Sequence, residues 1–225
     1  MKFIVITLIV VSLIIVTYIY MQKTAPNIEK YIQQNSTNFA DLLGDNGDII
    51  LLSGDTPGER TCRWCTGSIF SHVGFLFREI HPETKEDILY ITDCDIGQGT
   101  KEGSRVMVLS DKLKRYKGFK IGAIKKLQGR RPTTEEIMNV VSKYTHTDFD
   151  HIIATWWVAD VDFLYYMVKN NKKMFCGEYV AKLMKELNIL KKEGHPAGYV
   201  PRDFDLNKLN LEDGYSYGET TFFRF

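Results

Sequence analysis

Apolar residues are distributed along this chain in three patterns, and each predicts a different element. The first pattern is unbroken. From Phe3 to Met21 there is no charge, and Ile, Val and Leu dominate. The run matches the ~20 residues that a helix needs to cross a bilayer core. Tyr18 and Tyr20 stand where interfacial aromatics are expected, and Lys23 follows. The expectation is one transmembrane helix over residues 1–22, giving a single-pass membrane protein with an N-terminal anchor. A cleaved signal peptide is the alternative, but the residues before Thr24 are bulky and the run is longer than a typical signal core. Orientation stays open, because Lys2 and the terminal amine balance Lys23 and Lys30.

The second pattern is a series of short apolar runs between turn residues, which predicts strands. Asp48-Ile-Ile-Leu-Leu-Ser53 lies between Gly47 and Gly54 and reads as a buried strand. Residues 71–77, 88–92, 105–109 and 119–124 read as four more. A loop holding Pro57, Gly58 and Gly67 separates the first two. The third pattern is helical. Thr133 or Thr134 caps a helix with Glu135 and Glu136 in its first turn. A stripe of Trp157, Val161, Leu164 and Val168 predicts a helix over residues 150–168, apolar nearly all round and so a core helix or a lip for acyl chains. Val180, Leu183, Met184 and Leu187 line one side of another, over residues 176–187. Strands first and helices later predict an α+β domain with an antiparallel sheet packed on helices. The aromatic tail, residues 214–225, can add an edge strand. The division expected is anchor 1–22, a polar juxtamembrane linker 23–46 and one domain over 47–225.

Composition narrows the function. A formal net charge of +1 and the lack of a basic stripe interleaved with aromatics exclude a nucleic-acid footprint. Lys112, Lys114, Arg115 and Lys117 read as a solvated face. Four cysteines (Cys62, Cys65, Cys94 and Cys176) are too few for a disulfide scaffold and suit an enzyme with one or two special thiols. Cys62-Arg-Trp-Cys65 is half a zinc site, a redox pair or an incidental loop disulfide. No second pair completes four ligands, so a loop closure or no bond is favoured, with no metal.

Cys176 opens a predicted helix, where unpaired N–H groups favour a thiolate over a thiol. The competing reading is a buried, inert cysteine. His72 is the one histidine placed on a predicted strand; His81, His146 and His195 fall in turns or loops, and His151 starts a helix. A cysteine hydrolase needs such an imidazole to accept the thiol proton and later protonate the leaving group. Alternation puts His72, Gly74 and Leu76 on one face of the strand, and Gly74 leaves open space beside the ring. Asp93 and Asp95 end the next strand on a shared face, and either can orient the imidazole. Asp93 is nearer the body of the strand and is preferred.

Gly47-Asp-Ile-Ile-Leu51, the strand Ser71-His-Val-Gly74, an acidic residue on the next strand and Phe175-Cys-Gly-Glu-Tyr-Val180 opening a helix occur here in that order. This order resembles the circularly permuted papain-like hydrolases, in the branch of YiiX-type amidases and their poxviral relatives, cousins of the NlpC-like peptidases and of lecithin retinol acyltransferase. The resemblance covers roughly residues 47–190. It implies a permuted papain-like fold, with Cys176 as nucleophile, His72 as base and Asp93 as third member. Relatives often carry Glu at that third position, which keeps Asp95 in play. Many follow the nucleophile with Ser-Glu-Leu, where this chain has Gly177-Glu178-Tyr179. Gly177 leaves the backbone N–H groups of Cys176 and Gly177 open to act as an oxyanion hole. The activity implied is a membrane-anchored thiol hydrolase cleaving an amide or ester through an acyl-thioester, with a peptide or lipid-derived substrate and no cofactor. Two alternatives stand beside it: an inactive relative serving as a membrane-bound structural or binding protein, and an acyltransferase using the same site.

Overall fold

A computed structural model describes residues 2–28, 37–38, 44–96, 102–116, 118–150 and 173–224. In chain order the elements are α1 (Lys2–Thr24), β1 (Thr37–Asn38), β2 (Ile49–Gly54), α2 (Pro57–Thr66), β3 (His72–Ile80), β4 (Asp87–Asp95), β5 (Gly103–Val108), α3 (Leu109–Arg115), β6 (Phe119–Lys125), β7 (Leu127–Gln128), α4 (Thr134–Tyr144), β8 (Asp148–Phe149), β9 (Lys173–Met174), α5 (Cys176–Glu186), α6 (Pro201–Asp205), β10 (Ser216–Tyr217) and β11 (Thr221–Arg224).

A seven-stranded sheet runs β1-β11-β6-β2-β3-β4-β5. Its pairings are antiparallel except for β1 on β11. The central strand β2 is buried on both faces, which is why Ile49, Ile50, Leu51 and Leu52 form a continuous apolar run instead of an alternating one. Its side chains divide between two cores. Ile49 and Leu51 join Val73, Phe75 and Phe77 beneath α4 and α5. Ile50 and Leu52 join Leu76, Ile91, Leu109, Tyr116 and Phe119 beneath α3. The mixed α and β architecture, an antiparallel sheet on helices, is the one that the strand-then-helix order predicts.

The aromatic tail does enter the sheet, as β11, but β1 pairs outside it, so it is not the edge. Phe223 is fully buried there against Gly122, where any β-carbon would collide with the ring. The stretch around Pro57 and Gly58 is a helix and not a loop. Thr56 and Glu59 form a capping box, Pro57 takes the first turn and Gly67 ends the helix with φ 63°. Cys62 and Cys65 therefore lie on α2, and both are free thiols. The helix expected over residues 150–168, with its Trp pair, and most of the linker lie outside the described residues.

The N-terminal segment departs from the membrane expectation. It is helical, but among the described residues no helix is long and apolar enough to cross a membrane. The last turn is also committed elsewhere. Met21 is buried, and Gln22 Nε2 donates to Pro57 O and to Thr61 Oγ1 of α2, each at 3.1 Å. The transmembrane helix, the single-pass localisation and the membrane as partner therefore do not stand.

Candidate active site

β3 begins at His72, and the pleat turns this first side chain toward the α3 face of the sheet. The ring stacks on Phe119, with centroids 6.4 Å apart. The space beside Gly74 that alternation offered to a helix end or substrate is taken by Ile91, whose Cδ1 would lie 2.5 Å from an added β-carbon. On β4, Asp93 and Asp95 reach the same face, as period-two alternation requires. His72 Nε2 and Asp93 Oδ2 are 2.8 Å apart, whereas Asp95 Oδ2 is 4.0 Å from the same nitrogen. The pairing with Asp93 occupies Nε2 and leaves Nδ1 as the other ring nitrogen.

Two cations complete the cluster. Lys112, fully buried on α3, donates to Asp93 Oδ2 and, at 2.6 Å, to Asp95 Oδ2. Arg105 Nη2 stands 3.2 Å from Asp95 Oδ2, and its Nε 3.6 Å from Asp93 Oδ1. Arg105 Nη2 also donates to Tyr116 Oη at 2.6 Å. Burial opposes charge on His72, and Lys112 adds to that opposition. Asp95, the Cys176 sulfur and the bond to Asp93 outweigh both, and the imidazole is raised from 6.5 to about 10. Burial likewise opposes charge on Asp93 and Asp95, but Lys112 and His72 hold both carboxyls below their usual range.

Cys176 heads α5 on the opposite layer. Phe175 gives the helix no side-chain cap, so the first N–H groups, those of Cys176 and Gly177, lack partners within the helix. Gly177 is required by close approach: a β-carbon there would collide with Tyr199 O. The start of α5 is pinned to β4, where Tyr179 Oη and Thr92 Oγ1 are 2.5 Å apart. The two layers meet at the end of the sheet. There a cleft of about 400 Å³ is lined by both His72 and Cys176, with Asp95, Cys62 and Tyr18 also in its wall. Most of the remaining wall is apolar, including Phe119, Phe149, Phe175 and Val200.

Two other thiols, the buried Cys94 and the half-buried Cys62, are held protonated. Cys94 donates to Met174 O at 3.2 Å and Cys62 to Ser71 O at 3.3 Å, and burial pushes both well above their ordinary values. Lys112 and Arg105 are the members of the cluster that the sequence does not single out for the site. For Lys112 a signal exists in its spacing: Leu109, Lys112, Leu113 and Tyr116 recur at i, i+3, i+4 and i+7, which turns the lysine inward with the apolar residues. Among the described residues, His72, Asp93 and Asp95 form the one set of ligand-type side chains that converge as on a cation. The cation standing among them is the Lys112 ammonium.

No family model matches the chain, and no curated protein is a significant match. Solved structures do match. One is the crystal structure of metalloprotein yiiX from Escherichia coli O157:H7, DUF1105, at 12% identity and TM-score 0.45, covering 79% of this chain and 97% of that one. At that level the likeness decides neither fold nor activity.

Proposed function

We propose that this chain is a thiol hydrolase acting on an amide or ester, with Cys176 as nucleophile, His72 as base and Asp93 orienting the imidazole. The observation that carries the reading is that Cys176 and His72 line one cleft while Asp93 pairs with Nε2 of the ring. A nucleophile, a base and an orienting acid are the three parts that thiol catalysis needs. Their chain order, His72 before Cys176, is that of the permuted papain-like hydrolases. The catalytic domain then spans residues 47–225, and β1, from the segment 23–46, joins its sheet.

In this mechanism the thiolate attacks the carbonyl carbon and the C=O π electrons move onto oxygen. The backbone N–H groups of Cys176 and Gly177 would receive that oxyanion. Collapse breaks the bond to the amine or alcohol, which leaves with the imidazolium proton. Water then attacks the acyl-thioester as the neutral imidazole takes one of its protons; collapse breaks the C–S bond, releasing a carboxylic acid and restoring the thiolate beside the imidazolium. His72 as imidazolium, the buried Lys112 and the half-buried Arg105 face two carboxylates, an excess of positive charge beside the attacking sulfur that favours negative charge there. The apolar wall suits an apolar acyl group.

The test is hydrolysis of a p-nitrophenyl acyl ester together with iodoacetamide labelling of each cysteine. Cys176→Ala should lower kcat/KM by about 10³-fold or more, and Cys176 should alkylate faster than Cys62 or Cys94. Unchanged hydrolysis in Cys176→Ala, or labelling of Cys176 no faster than of the other two, would overturn the reading.

A further inference from the structure

The reaction outlined above leaves Lys112 without a task, although it is the most deeply placed charge in the cluster. Its ammonium bonds Asp93 Oδ2, the same oxygen that pairs with His72 Nε2, and it also bonds Asp95 Oδ2 at 2.6 Å. The ring of Tyr116 closes over it, with its centroid 4.3 Å away. We propose that Lys112 is a positioning residue: by sharing Asp93 Oδ2 with the imidazole and clamping Asp95 beside it, Lys112 sets how firmly the acid pair holds the His72 proton. The proposal deepens the hydrolase reading and rests on it, since it gives a role to the environment of the proposed base.

The physical need follows from the distances. Two carboxylates lie within 4.0 Å of one imidazole nitrogen in a water-poor setting. Opposite charges that close stabilise the imidazolium strongly, and a base that never gives up its proton cannot accept another. An ammonium on the shared oxygen draws charge density away from the imidazole and opposes its protonation. Arg105 cannot substitute fully, because it meets Asp93 through the other oxygen, Oδ1, at 3.6 Å. The groups facing His72 are therefore Asp93 and Asp95 from β4, Arg105 from β5, Lys112 from α3, Tyr116 just after α3, Phe119 at the start of β6, and Cys176 from α5. Among these, burial and Lys112 favour the neutral ring, and the carboxylates and the sulfur favour the charged one.

The experiment is an NMR titration of the His72 imidazole in the full chain, which requires no hydrolytic activity. Lys112→Met should move the titration to higher pH by about one pH unit or more, and Lys112→Arg should bring it back toward the parent. Burying two carboxylates without their lysine can prevent folding, so a charge-balanced comparison runs alongside. Asp95→Asn should lower the titration, and adding Lys112→Met to Asp95→Asn should raise it again by about one pH unit. A folded Lys112→Met chain, or the double variant measured against Asp95→Asn, with an unmoved His72 titration would overturn the proposal and leave Lys112 as structural charge compensation. A Lys112-dependent titration in a chain that hydrolyses nothing would instead sink the hydrolase reading alone.

Discussion

Beneath α4 and α5 the sheet presents Val73, Phe75 and Phe77, with the Cys94 thiol and a Thr92–Tyr179 hydroxyl pair as the polar groups of β4 on that side. The same strands present His72, Asp93 and Asp95 to α3, where Lys112 and Arg105 join them. One pleat thus separates a dry face from a charged one, because successive side chains on a strand point to opposite sides. The dry face is close-packed apolar surface, the main stabilising contribution in a small domain. The charged face holds ions that contribute little net stability and lose much when one partner is removed. Along β3 and β4, apolar packing and the acid–base groups therefore separate by parity, and substitutions one residue apart should have different consequences.

The largest expected effect tests the dry face. Phe75→Ala should cost about 3–5 kcal/mol, read from urea denaturation, while the His72 titration stays where it is. A shift in that titration would mean that the two faces are coupled through the strand. The next effect is a pH dependence that belongs to the charged face. The His72 value in the folded chain, about 10, lies above the ordinary 6.5. Its stabilising contribution is thus fully present below about pH 6.5 and is lost as pH rises toward about 10. Melting temperatures of the parent and of His72→Gln should differ most below pH 6.5 and converge near pH 10. Asp93 runs the other way: its lowered carboxyl stabilises above its unfolded value and loses that contribution in acid.

The smallest effect compares two helix caps. Thr56 and Thr133 both head capping boxes, on α2 and α4. Replacing either by Ala should cost about 1 kcal/mol. α2 forms a wall of the cleft and α4 does not. Thr56→Ala should therefore also speed alkylation of Cys62, and Thr133→Ala should not.

How much of the fold and site is legible in the amino-acid sequence depends on whether a residue follows its local pattern. Ile49 to Leu52, the His72 strand and the α5 stripe obey simple periodicities and are legible. So are the meeting of Asp93 with His72 and the placement of Cys176 at a helix start. The helix α2 reads as a loop because Pro57, Gly58 and only weak apolar spacing outweigh the Thr56–Glu59 box that caps it. Lys112 reads as solvated because a charge among charges usually is. Its burial follows from partners on β4 that lie far away in sequence. At the N-terminus, hydropathy alone carries no sign that Gln22 bonds α2.

The pairing of β11 with β6 also bears on how the chain is made. β6 has β2 on one side and β11 on the other, and residues 126 to 220 must emerge from the ribosome before Thr221–Arg224 can arrive. During that interval the Ile121–Ile124 edge is an open row of backbone donors and acceptors, the kind of edge that recruits foreign strands. The hollow at Gly122 that Phe223 later fills stands empty for as long. Sheet closure across so long a separation is slow. Nascent chains of this protein should therefore be most prone to foreign strand pairing in the interval between the emergence of β6 and that of β11.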